Sequence, residues 1–161
     1  MSFRTALART SSALQPEYVR RDGVGVSTSR QPVFRFSVPV LRVRDVSTTL
    51  TWYQQHLGFS AEAFPEREPH EFAILERDGV QLLVRQTRDS ARRGPERHSG
   101  WDLYIWVDGL DLQRLQKSIT GSEIVRALAP MGRTMAELEI RDPDGYVLCI
   151  GGPTPADLTL A

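Results

Sequence analysis

The sequence predicts an α+β fold made of two tandem β-α-β-β-β units. Two observations carry this. A strand-period stretch, a helix-period stretch and three further strand-period stretches occur once between Phe34 and Arg85 and again between Trp101 and Ile150. The landmarks of the two runs also keep register: Val43 ahead of Asp45 matches Val107 ahead of Asp108, a shift of 64 residues, and Gly79 matches Gly145, a shift of 66. Two copies, each with a sheet to cover, point to a duplicated domain rather than a solenoid, which needs three or more repeats. Two curved sheets with one helix each are the expected product.

In the first unit Phe34, Phe36, Val38 and Val40 alternate with Arg35, Ser37 and Pro39, the period of a strand running to Val43. Pro39 has no N–H, which places that strand at a sheet edge or bends it. Asp45 is the N-cap of a helix reaching Leu57, with Val46, Leu50, Tyr53 and Leu57 on one face and Trp52 at its margin or in a dimer interface; Gly58 closes it. Strands follow near 59–64 and 71–76, and Asp78-Gly79 turns the chain into a third at 80–85.

Residues 87–100 carry charge, Gly and Pro without period and read as a solvated connection. The second unit then runs through a strand at 101–107, a helix near 110–119 closed by Gly121, strands near 123–127 and 135–141, the turn Asp142-Pro143-Asp144-Gly145, and a strand at 146–150. The organisation is therefore an extension at 1–31, a domain at 32–152 (units 33–86 and 101–151 flanking the connection) and a tail at 153–161. The extension is rich in Ser, Thr, Arg and Ala and has no acid before Glu17; a transit peptide, a disordered tail and a misplaced start codon all account for it.

The 161 residues suit one domain. Basic and acidic residues balance at 20 each, so no global field favours nucleic acid or an anionic membrane. Cys149 is the single cysteine, no apolar run approaches the ~20 residues of a membrane span, and a cytoplasmic protein is expected.

Three segments carry a resemblance: SVPVLRVRDVSTTLTWYQQHLGF at 37–59, WVDGLDLQRL at 106–115 and IRDPDGYVLCIGG at 140–152. They resemble the glyoxalase/bleomycin resistance protein/dioxygenase, or vicinal oxygen chelate, superfamily over about 34–152. The VPVL, RDV, WY and LGF elements are similar to those of bleomycin-resistance proteins, whereas DPDGY is shared across the superfamily. The resemblance implies sheets curled into a cup, often completed across a homodimer. It also implies, in members that are enzymes, a divalent metal held by His and Glu from four strands. Those four positions fall here on Val38, Leu83, Asp102 and Cys149. Val and Leu offer no donor, and one oxygen with one sulfur does not make a three-ligand catalytic site. No metal, no cofactor and no catalytic residue are therefore expected. No two of His56, His70 and His98 share a ligand spacing.

Strand alternation puts Asp102, Tyr104 and Trp106 on the face opposite Leu103, Ile105 and Val107, and Glu137 and Glu139 on the face opposite Leu138 and Ile140. The same rule places Arg42 on the corresponding face of the first unit. Tyr104 matches an aromatic groove position of the bleomycin-binding relatives, and Phe64 lies beside another. A lining of aromatic planes, carboxylates and Arg suits a planar, partly cationic ligand. The expected function is a homodimeric, non-catalytic antibiotic-binding protein of the bleomycin-resistance type, with Tyr104, Trp106, Asp102, Glu137, Glu139, Arg42 and Phe64 touching a small molecule and no nucleic-acid or membrane partner. The alternative is a glyoxalase-like lyase or dioxygenase-family enzyme with a degenerate metal site.

Overall fold

The computed structural model describes residues 34, 36–88, 100–108, 112–119 and 123–154. The extension at 1–31, most of the connection with its Arg92, Arg93, Arg97 and His98, and Gly121 lie outside the described residues. The chain divides into two compact units: residues up to 50 with 59–86, and residues 51–58 with those from 87 onward.

The first unit's sheet holds β1 (Val40–Val43), β2 (Ser60–Phe64), β3 (Phe72–Arg77) and β4 (Val80–Gln86) in the order β1-β4-β3-β2. β1 runs parallel to β4, and the other two pairs are antiparallel. The edge position of β1 meets the expectation set by Pro39, but the strand is shorter than the apolar alternation suggested. Residues 36–39 lie outside it, with Pro39 contributing only its carbonyl, which accepts from the Leu83 amide at 3.0 Å, and Phe34 and Phe36 are exposed. Apolar alternation marks a strand only where a ladder partner meets it.

Asp45 caps α1 (Val46–Leu57), its Oδ1 accepting from the Thr48 amide at 2.7 Å; that bond holds the carboxyl below its ordinary range. Val46, Leu50, Tyr53 and Leu57 are all buried, as their spacing requires. Gly58 follows at φ 63°, the left-handed conformation that ends a helix. The Asp78-Gly79 turn has positive φ at both residues, 51° and 84°, the pattern of a type I′ hairpin.

The second unit repeats the plan with β5 (Leu103–Trp106), α2 (Leu112–Ser118), β6 (Ile124–Met131), β7 (Met135–Arg141) and β8 (Val147–Pro153), ordered β5-β8-β7-β6. β6 continues past the expected end at 127 and contains Pro130. It can do so because it is an edge strand, where a missing N–H leaves no ladder bond unmade. β8 likewise runs three residues past Ile150, pairing Gly151 with Glu137 and Pro153 with Met135. Fully buried Leu138, Ile140 and Leu148 form the core face of this sheet.

Tyr53 belongs to this unit: its hydroxyl donates to Asp142 Oδ2 at 3.2 Å. Trp52, expected at a margin or a dimer interface, is buried here. Its indole N–H donates to Glu123 and its ring meets Tyr53 edge-on at 5.1 Å. A buried Trp is stable where its one polar atom finds an acceptor, and Glu123 supplies it. Asp142 organises the turn before β8 by accepting on Oδ1 from the amides of Asp144 and Tyr146, each at 2.9 Å. No helix among the described residues is long and apolar enough to cross a membrane.

Candidate functional site

Ladder register decides which side chains share one face of the second sheet. Tyr104 on β5 stands beside Cys149 on β8, which stands beside Glu139 on β7, which stands beside Arg126 on β6. Two residues along, Trp106, Gly151 and Glu137 form the next row. The face therefore passes from exposed aromatic rings on β5, through a smooth strip on β8, to a charged cluster on β7 and β6. Trp101, just before β5, adds a third ring, 5.2 Å from Tyr104 with the planes inclined at 59°. Trp101, Tyr104 and Trp106 are 47, 40 and 52% exposed, which is unusual for three large rings on one sheet edge.

The charged cluster is internally bonded. Arg126 Nη2 donates to Glu137 Oε2 and Arg126 Nε to Glu139 Oε1, both at 2.9 Å. Burial alone would lower the Arg126 pKa, but the bonds to Glu137 and Glu139 outweigh it and raise it. Each carboxylate in turn tethers an aromatic ring. Glu137 accepts from the Tyr104 hydroxyl at 3.2 Å, and Glu139 from the Trp101 indole at 3.1 Å. Desolvation, reinforced by Glu137, raises the Tyr104 phenol pKa and keeps it a donor.

Of the residues expected to bind a ligand, Tyr104, Trp106, Glu137 and Glu139 share this face. Asp102 lies at its edge, where its Oδ2 accepts from the Val147 amide and its own amide donates to the Val147 carbonyl, both at 2.8 Å. Arg42 and Phe64 belong to the first unit: Arg42 sits beside Arg85 in the ladder, and Phe64 stacks on Phe72 at 4.8 Å. Sequence reasoning missed Arg126 and Trp101. Arg126 lies between two register shifts in β6, so simple alternation does not report its face, and Trp101 precedes the strand. Glu137 is only 5% exposed, and a buried carboxylate requires the partner that Arg126 provides.

Gly151 is what lets Tyr104 lie flat across β8. A Cβ there would collide with the tyrosine hydroxyl and stand 2.8 Å from Cζ. Gly151→Ala is therefore expected to expel the ring from Glu137, seen as a change in near-UV circular dichroism and at least a tenfold loss of affinity for a ring-stacking ligand, against a base stacking contact worth ~1–3 kcal/mol.

In the first unit a cleft of about 330 Å³ is lined by Asp45, Ser47, Glu68, Pro69, His70 and Gln86. Its polar atoms bond locally: Asp45 caps α1, Ser47 donates to Glu68 Oε1 at 2.7 Å, and His70 Nδ1 meets the Pro65 carbonyl at 2.9 Å.

A family model for the glyoxalase/bleomycin resistance protein/dioxygenase superfamily matches residues 35–150. The chain belongs to that superfamily. Solved structures agree on the fold. A glyoxylase/bleomycin resistance protein/dioxygenase domain from Frankia sp. EAN1pec is 20% identical, with a TM-score of 0.59, over 78% of this chain and 96% of its own. TioX from Micromonospora sp. ML1 is 20% identical at a TM-score of 0.57, over 73% and 98%. A virulence protein from Salmonella typhimurium is 24% identical at a TM-score of 0.52, over 76% and 98%. No curated protein matches the chain.

The superfamily implies a divalent metal, and the residues at its ligand positions do not fit one. Val38 and Leu83 carry no donor atom. Asp102 offers a single carboxylate whose Oδ2 accepts from the Val147 amide, and burial pushes the Cys149 thiol up to about 12, so that it remains protonated at neutral pH. No group of three His, Cys, Asp or Glu side chains suited to a metal occurs among the described residues.

Proposed function

We propose that the protein is a non-catalytic binding protein of the bleomycin-resistance type, which sequesters an antibiotic or a similar planar, partly cationic molecule as a homodimer. The observation that supports this reading is the exposed row of Trp101, Tyr104 and Trp106, whose three polar tips are tethered to the carboxylates of Glu139, Glu137 and Asp108 and held ready before any ligand arrives. Pre-set rings bind at lower entropic cost than free ones. Two carboxylates shared by one guanidinium leave the cluster with a net negative charge, which tolerates a cationic ligand. Donor chemistry speaks against the metal-dependent lyase and dioxygenase activities found on this fold.

The test is calorimetric titration of metal-free bleomycin, and separately of the copper-loaded drug, into chelator-treated protein. Binding of one or two drug molecules per dimer, unchanged by chelation and reduced at least tenfold in Tyr104→Ala/Trp106→Ala, is the expected result. Absence of heat with either form removes this antibiotic, and affinity untouched by the double substitution removes the site.

A further inference from the structure

Arg126 is not fully used by its own protein. A guanidinium has five N–H donors. Nε and Nη2 serve Glu139 and Glu137, whereas Nη1 meets only the Met131 sulfur at 3.7 Å and no oxygen acceptor among the described residues. The side chain is 35% exposed, so solvent reaches part of it. It is also beside the rings: Arg126 Nε and the Trp101 indole nitrogen approach the same Glu139 oxygen at 2.9 and 3.1 Å, which puts them no more than 6.0 Å apart.

We infer that this face selects a planar ring bearing a neutral carbonyl, with the ring stacked on Trp101 and the carbonyl oxygen accepting from Arg126 Nη1. The inference deepens the proposed function and rests on it. Charge decides between acceptors. The guanidinium is already shared by two carboxylates, so a ligand carboxylate would enter a field that is net negative, while an amide carbonyl gains a charge-assisted hydrogen bond without that repulsion. A primary amine is drawn by the same field but gives Nη1 nothing to donate to. Arg126 would thus set specificity, and the aromatic row affinity.

Four probes separate these roles by tryptophan fluorescence titration: quinoline, quinoline-2-carboxamide, quinoline-2-carboxylate and 2-(aminomethyl)quinoline. The carboxamide is expected to bind about tenfold more tightly than each of the others, in line with the typical strength of a hydrogen bond to a charged group. Because Arg126→Met alone leaves Glu137 buried without its partner, the companion variant is Arg126→Met/Glu137→Gln/Glu139→Gln, whose amides still accept from Tyr104 and Trp101. In that variant the carboxamide should fall to the affinity of quinoline measured on the same variant. A carboxylate or amine that binds as tightly as the carboxamide, or a carboxamide preference that survives the triple substitution, overturns the role of Arg126 and leaves the aromatic row standing. If none of the four probes binds, the aromatic row fails as well.

Discussion

Asp142→Asn is expected to raise folding stability by about 3 kcal/mol at pH 7 and to change it little at pH 3. Burial raises the Asp142 carboxyl from 3.8 to about 6, and the repulsion of Asp144 adds to this; the amides of Tyr146 and Asp144 and the Tyr53 hydroxyl oppose it without prevailing. A carboxyl whose folded pKa lies above its unfolded one binds protons more tightly when folded. Its stabilising contribution is therefore complete below about pH 4 and is lost as pH rises through about 6. Asn removes the ionisation while its Oδ1 still accepts from Asp144 and Tyr146, and the Tyr53 hydroxyl can turn to accept from Nδ2. Urea midpoints of both proteins from pH 3 to 8 give the measurement. A difference that stays constant across that range would mean Asp142 does not titrate as its burial requires.

The fold was readable because its signals are local and repeated. Asp45, Gly58, Asp78-Gly79 and Asp142 to Gly145 each fix a cap or turn through their own backbone chemistry, and the helix face of Val46, Leu50, Tyr53 and Leu57 needs only a 3.6-residue period. Errors fell where partners, not propensities, set the boundary. Among the described residues the stretch ahead of β1 carries no ladder beyond the Pro39 carbonyl, and β6 passes through Pro130 at the edge of its sheet, where no described strand lies on its far side.

The candidate site was half readable for the same reason. Alternation alone put Tyr104, Trp106, Glu137 and Glu139 on one face, since each lies in a regular strand. It could not find Arg126 between two register shifts, nor show that this one cation ties up both carboxylates. Glu137 and Glu139 hold the Tyr104 and Trp101 rings as well as Arg126, a set of bonds between strands that no single strand's pattern reports.

Arg126→Met should cost about 2–3 kcal/mol of folding stability, somewhat below the 3–5 kcal/mol typical of breaking a fully buried ion pair, because the guanidinium is a third exposed. The loss comes less from the bond than from what remains. Glu137 would keep a charge beneath Tyr104 with only that hydroxyl and the weak Cys149 thiol as donors, and Glu139 two residues along the same strand would repel it. Glu137→Gln added to Arg126→Met should therefore recover more than half of the loss, since Gln accepts from Tyr104 without a charge to solvate. The two substitutions are in contact and so cannot be additive, and the double-mutant cycle reads their coupling directly from urea midpoints at constant m-value. Recovery by Glu137→Gln would make the guanidinium a counter-ion whose bonding edge is dispensable once the carboxylate is neutral. A double variant no more stable than Arg126→Met would instead show that the unpartnered charge of Glu137 is not the source of the loss.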